Sequence, residues 1–388
     1  MIAIMIGGDS FSMTRQAEDM SMGKKRTAIM VACMLACGGC LAHPAKVRAR
    51  EESIALLVQQ YEAYREAFEA IGSLADVEEA GYDIIEEQRF PVQLETFGEE
   101  QVELVPILHR EYHRLAILIV DGSGNVLFKT NQLETNYKYP GQLSQPTKSL
   151  ESVSFQELDH DGLTDIVLIT VCENDAGDYA GKSYRVGDVL FQRDGDFYRD
   201  WRVSDKINRF SMNKSADFIA SYVGEGKSTE ILYTATTLKE LQEHGFQLVR
   251  EHSYTIEFEK QGSLLVAPGF ITMADYDVFM IYLVNGEGDI VWSFQPMEDY
   301  DNLYALKGMV CRDVDGDGMK DVVVLARYSY AGPEGEQLID TKCDIYYQRT
   351  DGFQAEENFG EIYQCTEEDT MEELVEIIRE YWGWPKEE

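Results

Sequence analysis

Residues 313–326 read DVDGDGMKDVVVLA, and residues 157–170 read ELDHDGLTDIVLIT. In the first stretch Asp313, Asp315, Asp317 and Asp321 occupy positions 1, 3, 5 and 9 of a loop, with Gly318 at position 6. Glu157, Asp159, Asp161, Asp165 and Gly162 take the same places in the other. Alternate spacing lets a tightly turning backbone aim successive carboxylates inward. The glycine permits the sharp turn, and the next carbonyl, of Met319 or Leu163, turns in with them. Oxygens at this density suit Ca2+, which takes about six to eight of them, better than Mg2+, which demands a stricter octahedron. No Cys belongs to either set and His160 alternates outward, so a soft metal is not expected. The residues after each loop decide the fold. An EF-hand needs a bidentate Glu at position 12 and a helix after it, but Leu168 and Val324 stand there, within IVLIT and VVVLA. Both runs read as buried strands, so each loop joins two strands.

The loops belong to a longer internal match. LADVEEAGYDIIEEQRFPVQLE, from Leu74, aligns without gaps on LKELQEHGFQLVREHSYTIEFE, from Leu238, at a constant shift of 164 residues. Gly81 falls on Gly245, Tyr82 on Phe246 and Glu95 on Glu259. VDGSGNVLF, from Val120, and VNGEGDIVW, from Val284, continue in the same register. Beyond them the shift becomes 156 residues, which carries the acidic loops onto each other and DVLFQR, from Asp188, onto DIYYQR, from Asp344. Apolar runs split by Gly-rich turns read as hairpins. Ser215 and Thr370 stand as N-caps before SADFIASYV and TMEELVEIIREYW, a closing helix for each copy. The expectation is a mainly β fold with flanking helices (α+β), built from two tandem duplicated antiparallel-sheet domains, each with a Ca2+-binding hairpin loop.

The loop-then-strand pattern resembles the calcium loop of FG-GAP and VCBS repeats, best known from integrin α-subunit propellers. The resemblance covers little more than the loop and its strand in each copy. It implies that the matching acidic positions ligate Ca2+ and that the loop joins antiparallel strands. Only two loops, 156 residues apart, argue against a closed propeller.

Near the start, Lys24, Lys25 and Arg26 precede the apolar run TAIMVACMLA. Such a run has the length of a secretory signal, about 7–15 residues, and not the roughly 20 of a spanning helix. The stretch MLAC resembles the lipobox of bacterial lipoproteins, which implies lipidation of Cys37 and attachment to a lipid bilayer through it. Residues 1–36 then form the signal region, with translation expected to start at Met20 or Met22, and 37–50 a lipidated tether. Residues 51–72 come next as a helical segment with Ile54, Leu57, Tyr61, Tyr64 and Phe68 near one face; 73–230 and 231–388 are the repeat domains. The seven cysteines do not form a disulfide framework, although an oxidising compartment would permit one bridge, Cys343 to Cys365.

With 34 basic and 70 acidic residues, the net charge of −36 repels phosphate backbones, so nucleic acid is not an expected partner. The chain has six His and no G-x-S-x-G, and no catalytic triad is visible. GEGKST, from Gly224, lacks the leading glycine of a phosphate loop, and HREYH, from His109, lacks the Glu placement of a zincin. Residues 131–146 and 172–187, with their counterparts 295–304 and 328–342, read as long loops at one end of each sheet. They would gather Tyr137, Tyr139, Tyr179 and Tyr184 in one copy and Tyr300, Tyr304, Tyr328 and Tyr330 in the other. Tyrosines among polar neighbours suit recognition. The expected function is that of an exported, membrane-anchored extracytoplasmic lipoprotein that binds or adheres to an extracellular protein or glycan. The alternative is a cell-envelope or carbohydrate-active enzyme, or its accessory, using acidic cleft residues.

Overall fold

Alternation within the apolar runs decides which way each strand faces. In β7 (Asp165–Glu173), Ile166 and Leu168 enter one hydrophobic core while Val167 and Ile169 enter another. In β16 (Asp321–Ala331), Val322 and Val324 part from Val323 and Leu325 in the same way. A strand buried on both faces needs a layer on each side. One layer is a second sheet and the other is helical.

The computed structural model describes residues 59–136, 147–173, 181–193, 195–294, 302–332, 336–356 and 358–384. Met1–Phe68 and Glu69–Glu388 are separate compact units. In the first, residues 59–68 are helical, as expected for part of segment 51–72; Cys37, Ile54 and Leu57 lie outside the described residues.

Within Glu69–Glu388, the first half opens with an antiparallel sheet of β1 (Tyr82–Ile84), β2 (Phe90–Gln93), β3 (Gln101–His109), β4 (Leu115–Val120) and β5 (Val126–Thr130). Its order is β1-β3-β4-β5, with β2 also on β3. An antiparallel meander comes next, of β6 (Thr147–Gln156), β7, β8 (Ser183–Arg193) and β9 (Asp196–Tyr198). Leu104, Ile117 and Ile119 of the first sheet meet Leu150, Ile166, Leu168 and Leu190 of the meander. The meander's other face is covered by α1 (Trp201–Arg209) and α2 (Ala216–Glu225) through Ile207, Phe218 and Ile219. Ser215 caps α2 as expected, accepting from Phe218 N at 3.2 Å.

The second half repeats this order. After α3 (Glu230–Thr234) and α4 (Leu238–Glu243) come β10 (Gln247–Leu248), β11 (Tyr254–Phe258), β12 (Gly262–Met273), β13 (Tyr276–Val284) and β14 (Ile290–Phe294). They are ordered β10-β12-β13-β14, with β11 also on β12. The meander β15 (Asn302–Arg312), β16, β17 (Gln337–Arg349) and β18 (Gly352–Ala355) precedes α5 (Phe359–Ile362) and α6 (Met371–Tyr381). Thr370 and Glu373 form a capping box at the start of α6. The fold is thus mainly β with flanking helices, and among the described residues its four sheets are antiparallel and none closes into a barrel.

Small details match between the halves. Asp121 Oδ1 accepts from Ser123 N and Asn125 N, as Asn285 Oδ1 accepts from Glu287 N and Asp289 N. Amide and carboxylate have exchanged places, yet each turn keeps the bond between them, at 2.9 Å from Asn125 to Asp121 and 3.1 Å from Asn285 to Asp289. The halves meet where Phe218 of α2 lies edge-on to Tyr276, ring centroids 5.9 Å apart, beside Met273.

Candidate functional site: two carboxylate loops

Each acidic loop is the turn of a hairpin, closed by the pair Gln156↔Asp165 between β6 and β7 and by Arg312↔Asp321 between β15 and β16. The turns fold on their own side chains. Asp313 accepts from Gly316 N at 2.8 Å and Gly318 N at 3.0 Å, and Asp317 from Met319 N at 2.8 Å. Asp159 accepts from Asp161 N at 3.3 Å, and Asp161 from Leu163 N at 2.9 Å. Gly162 and Gly318 have φ of +86° and +83° with nothing within 4 Å of an added Cβ, so glycine is needed there for conformation and not for space.

This geometry brings Asp313, Asp315 and Asp317 together, and separately Glu157, Asp159 and Asp161. In each set the potential ligand oxygens lie within 4.8 Å of one another. Oxygens bound to one Ca2+ at about 2.3–2.6 Å stand no more than about 5 Å apart, so both sets fit such an ion.

Asp165 and Asp321 are placed differently. Both are fully buried. Asp321 accepts from Val314 N at 2.9 Å and Gln348 N at 2.8 Å, and Asp165 from Leu158 N at 3.0 Å and Gln192 N at 2.8 Å. Each carboxylate ties the second loop residue to the neighbouring strand. A second lone pair on each oxygen remains for a metal, but bracing of the backbone is the role the geometry displays. Burial pushes Asp321 up to about 7 and Asp165 up to about 6 against the pull of these bonds, and the neighbouring loop carboxylates add to the rise.

Four residues around the braces had no assigned role in the sequence reading. Gln348, fully buried, accepts from Lys260 N at 3.0 Å and donates to Glu259 Oε2 at 3.1 Å and to the Lys320 carbonyl at 3.0 Å. Gln192 accepts from Thr96 N at 2.9 Å and donates to Glu95 Oε2 at 2.9 Å and to the Thr164 carbonyl at 3.1 Å. Glu95 and Glu259 then accept from the position 8 amides, Thr164 N at 3.0 Å and Lys320 N at 2.9 Å. Burial works to raise the Glu259 carboxyl, but the Lys320 ammonium and these donors hold it at about 2. The signal was present, since both residue pairs stand in stretches whose sequences match between the two halves.

Cations distinguish the loops. Arg349 Nη1 lies 2.8 Å from Asp315 Oδ2 and 3.0 Å from Asp317 Oδ2, so a guanidinium already sits in the field of the second loop. The corresponding Arg193 instead stacks over Tyr198, 5.3 Å from the ring centroid. Both loops also touch the closing end of their half. His160 Nε2 is 3.1 Å from the Gly224 carbonyl of α2, and Arg379 Nη2 of α6 donates to the Asp313 carbonyl at 3.3 Å. Trp384 lies over Gly316, where an added Cβ would stand 2.6 Å from its indole nitrogen.

The tyrosine rim is corrected in part. Tyr137, Tyr139, Tyr179 and Tyr300 lie outside the described residues. The other four stand on strands: Tyr184 on β8, Tyr304 on β15, Tyr328 and Tyr330 on β16. Tyr328 continues the inward alternation of Val322, Val324 and Ala326, is 1% exposed and packs in the core between the sheets, so it cannot serve a rim. Tyr304 and Tyr330 are exposed, and Arg327 lies 5.1 Å from the Tyr304 ring centroid. In HREYH, His109 is buried and its Nδ1 accepts from Glu111 N and Tyr112 N, both at 3.2 Å, which is a packing role. GEGKST lies at the end of a helix: Gly226 is the left-handed cap of α2, so helix carbonyls and not N–H groups lead into it. Comparison with known proteins returned no matching family model, no matching curated protein and no matching solved structure.

Proposed function

We propose that this chain is an exported, lipid-anchored extracytoplasmic protein whose two halves arose by duplication and are each stapled by one Ca2+. The observation that carries the calcium reading is the convergence of three carboxylates in each loop within a radius that suits one ion. Asp313, Asp315 and Asp317, with the Met319 carbonyl, would hold one ion; Glu157, Asp159 and Asp161, with the Leu163 carbonyl, the other; Asp321 and Asp165 would add their remaining lone pairs. The duplication is supported by the repeated strand order and by the brace network, whose members recur at the shifts of 164 and 156 residues read from the sequence. The anchor reading rests on the lipobox-like stretch ending at Cys37.

Calcium here is a staple and not a sensor. Extracellular modules bind it at about 10⁻⁴–10⁻³ M, close to what the exterior supplies. At ten times Kd each loop would add about 1.4 kcal/mol to stability. Thermal melts in chelator and in millimolar Ca2+ should therefore differ by several degrees, and Asp159→Asn combined with Asp313→Asn should erase the difference. Identical melts of the unaltered protein would end the calcium reading. Metabolic labelling with a fatty acid analogue, lost in Cys37→Ala, tests the anchor.

The task served is binding to an extracellular protein or glycan. The exposed Tyr304 and Tyr330 at one end of a sheet support it. A glycan array and a cell-surface pull-down, each repeated with Tyr304→Ala and Tyr330→Ala, test this; binding indifferent to both changes would remove these rings from the surface.

A further inference from the structure

The helix-side core of the second half contains two thiols side by side. Cys343 stands on β17 and Cys365 in the segment between α5 and α6, both packed against the core that includes Leu325, Leu374 and Ile378. Both are in the thiol state and close enough to shift each other's ionisation, and the ties of Lys307 to Asp369 and of Arg327 to Glu367 set Cys365's segment over β15 and β16 at the level of Leu325, the register partner of Cys343. A disulfide needs Cα atoms within about 7 Å, and two thiols that face one core from adjoining elements are placed for that.

The segment that carries Cys365 is held in place. Tyr363 Oη donates to Asp369 Oδ1 at 2.8 Å, and Thr366 N to Asp369 Oδ2 at 2.6 Å. Lys307 Nζ donates to the Asp369 carbonyl at 3.1 Å, and Arg327 pairs with Glu367 at 2.9 Å. The thiol is thus presented to β17 by a segment that is tied on both sides of it.

The first half solves the same junction without sulfur. Gly187 pairs with Ile169 as Cys343 pairs with Leu325. A Cβ on Gly187 would lie 2.8 Å from Ile207 Cγ2 and 3.0 Å from Ile219 Cδ1. There Asn208 makes the tie, accepting from Gly187 N and donating to its carbonyl, both at 2.8 Å. In the second half a side chain fills this place, and it meets Cys365.

We propose that Cys343 and Cys365 form a redox couple that closes to a disulfide in an oxidising compartment, clamping the approach to α6 onto β17. Its setting in the cell rests on the export reading, whereas its chemistry does not. The oxidant is a small or protein disulfide. Cys365 loses its proton and its thiolate attacks one sulfur of that disulfide, expelling the first thiolate. Cys343 then loses its proton and attacks the Cys365 sulfur, expelling the second. Two thiols lose two protons and two electrons, and the oxidant is reduced to two thiols. Cys365 is suited to the first attack, because the neighbouring Cys343 thiol holds it below the ordinary range while burial pushes Cys343 above it.

The test is to equilibrate the purified full chain in glutathione buffers of graded ratio, block free thiols under denaturing conditions, and map peptides by mass spectrometry. The expected result is one cross-link, Cys343 to Cys365, with Cys172 and Cys311 blocked as free thiols. The oxidised protein should melt a few degrees above the reduced one, as expected for closing a loop of about 20 residues. Cys365→Ser should leave Cys343 blockable and remove that difference. Free thiols at both positions in the most oxidising buffer, or a cross-link elsewhere, would overturn the proposal. A cross-link formed in vitro but missing from protein taken from cells would support the couple and count against export instead.

Discussion

Replacing Asp321 by Ala removes the acceptor of two buried N–H groups, those of Val314 and Gln348. A buried donor left without a partner costs about 1–3 kcal/mol, so the pair costs about 2–6 kcal/mol. The upper end is not reached. Burial has pushed this carboxyl up to about 7, and its removal also relieves that desolvation, which leaves an expected net loss of about 2–4 kcal/mol. The loss belongs to the brace and not to a metal, so it must persist in chelator. Urea titrations monitored by tryptophan fluorescence, run with chelator on the unaltered protein, Asp321→Ala and Asp313→Asn, separate the two. Asp321→Ala should unfold at clearly lower urea, whereas Asp313→Asn should coincide with the unaltered protein and differ only when Ca2+ is added. Asp321→Asn, which keeps one acceptor, should fall between. If Asp321→Ala matched the unaltered protein in chelator, the bracing role would be wrong.

The same contacts set three further outcomes. Burial places Asp165 at about 6 and Asp188 and Asp321 at about 7, all above the ordinary 3.8. The folded state therefore holds protons that the unfolded chain has released, and stability in chelator should fall as pH rises from about 5 to about 7. Glu259, held at about 2, acts only below its ordinary 4.5 and leaves that window alone; melts that stayed level or rose across it would contradict the assignment. Gly187→Ala should cost about 1–3 kcal/mol by driving a methyl into Ile207 and Ile219, with Gly122→Ala, a turn glycine outside the positive-φ region and with no neighbour at its Cβ, as the comparison in a urea titration. Arg349→Gln should tighten Ca2+ binding several-fold at the second loop alone, since it removes the guanidinium from Asp315 and Asp317; calorimetric titration resolves it, and unchanged affinity would mean that Arg349 does not compete.

Much of the architecture was legible because it is written in periods. Alternating apolar runs, glycine turns and the caps at Ser215 and Thr370 each have a local physical cause, and the strands and helices form where those causes place them. What was not legible depended on facing direction over longer range. Tyr328 reads as a loop tyrosine from its neighbours Ser329, Tyr330 and Ala331, yet β16 continues through it and its parity from Val322 carries the ring into the core. Asp321 and Asp165 read as ligands from loop spacing alone. Their bonds to Gln348 and Gln192 arise only when the third strand of each meander is laid beside the second. Arg349 was invisible for the same reason: it lies 32 residues from the aspartate it meets.

The placement of the loops also limits what calcium could do. Position 2 of each loop, Leu158 or Val314, is buried beneath the closing helices. Its amide is held by the brace aspartate, and that aspartate is bonded to the neighbouring strand. Tightening the turn around an ion therefore pulls on a junction of hairpin, neighbouring strand and helix. In the second half the same junction receives Arg379 and Trp384 from the end of the helix. Tyr304 and Tyr330 stand elsewhere: Tyr304 lies near the start of β15 and Tyr330 near the end of β16, whereas the loop joins the other ends of those two strands. Calcium bound at the loop would thus act on the docking of α6, and hydrogen exchange in α6 and in Val314 should slow on its addition while exchange around Tyr304 stays unchanged.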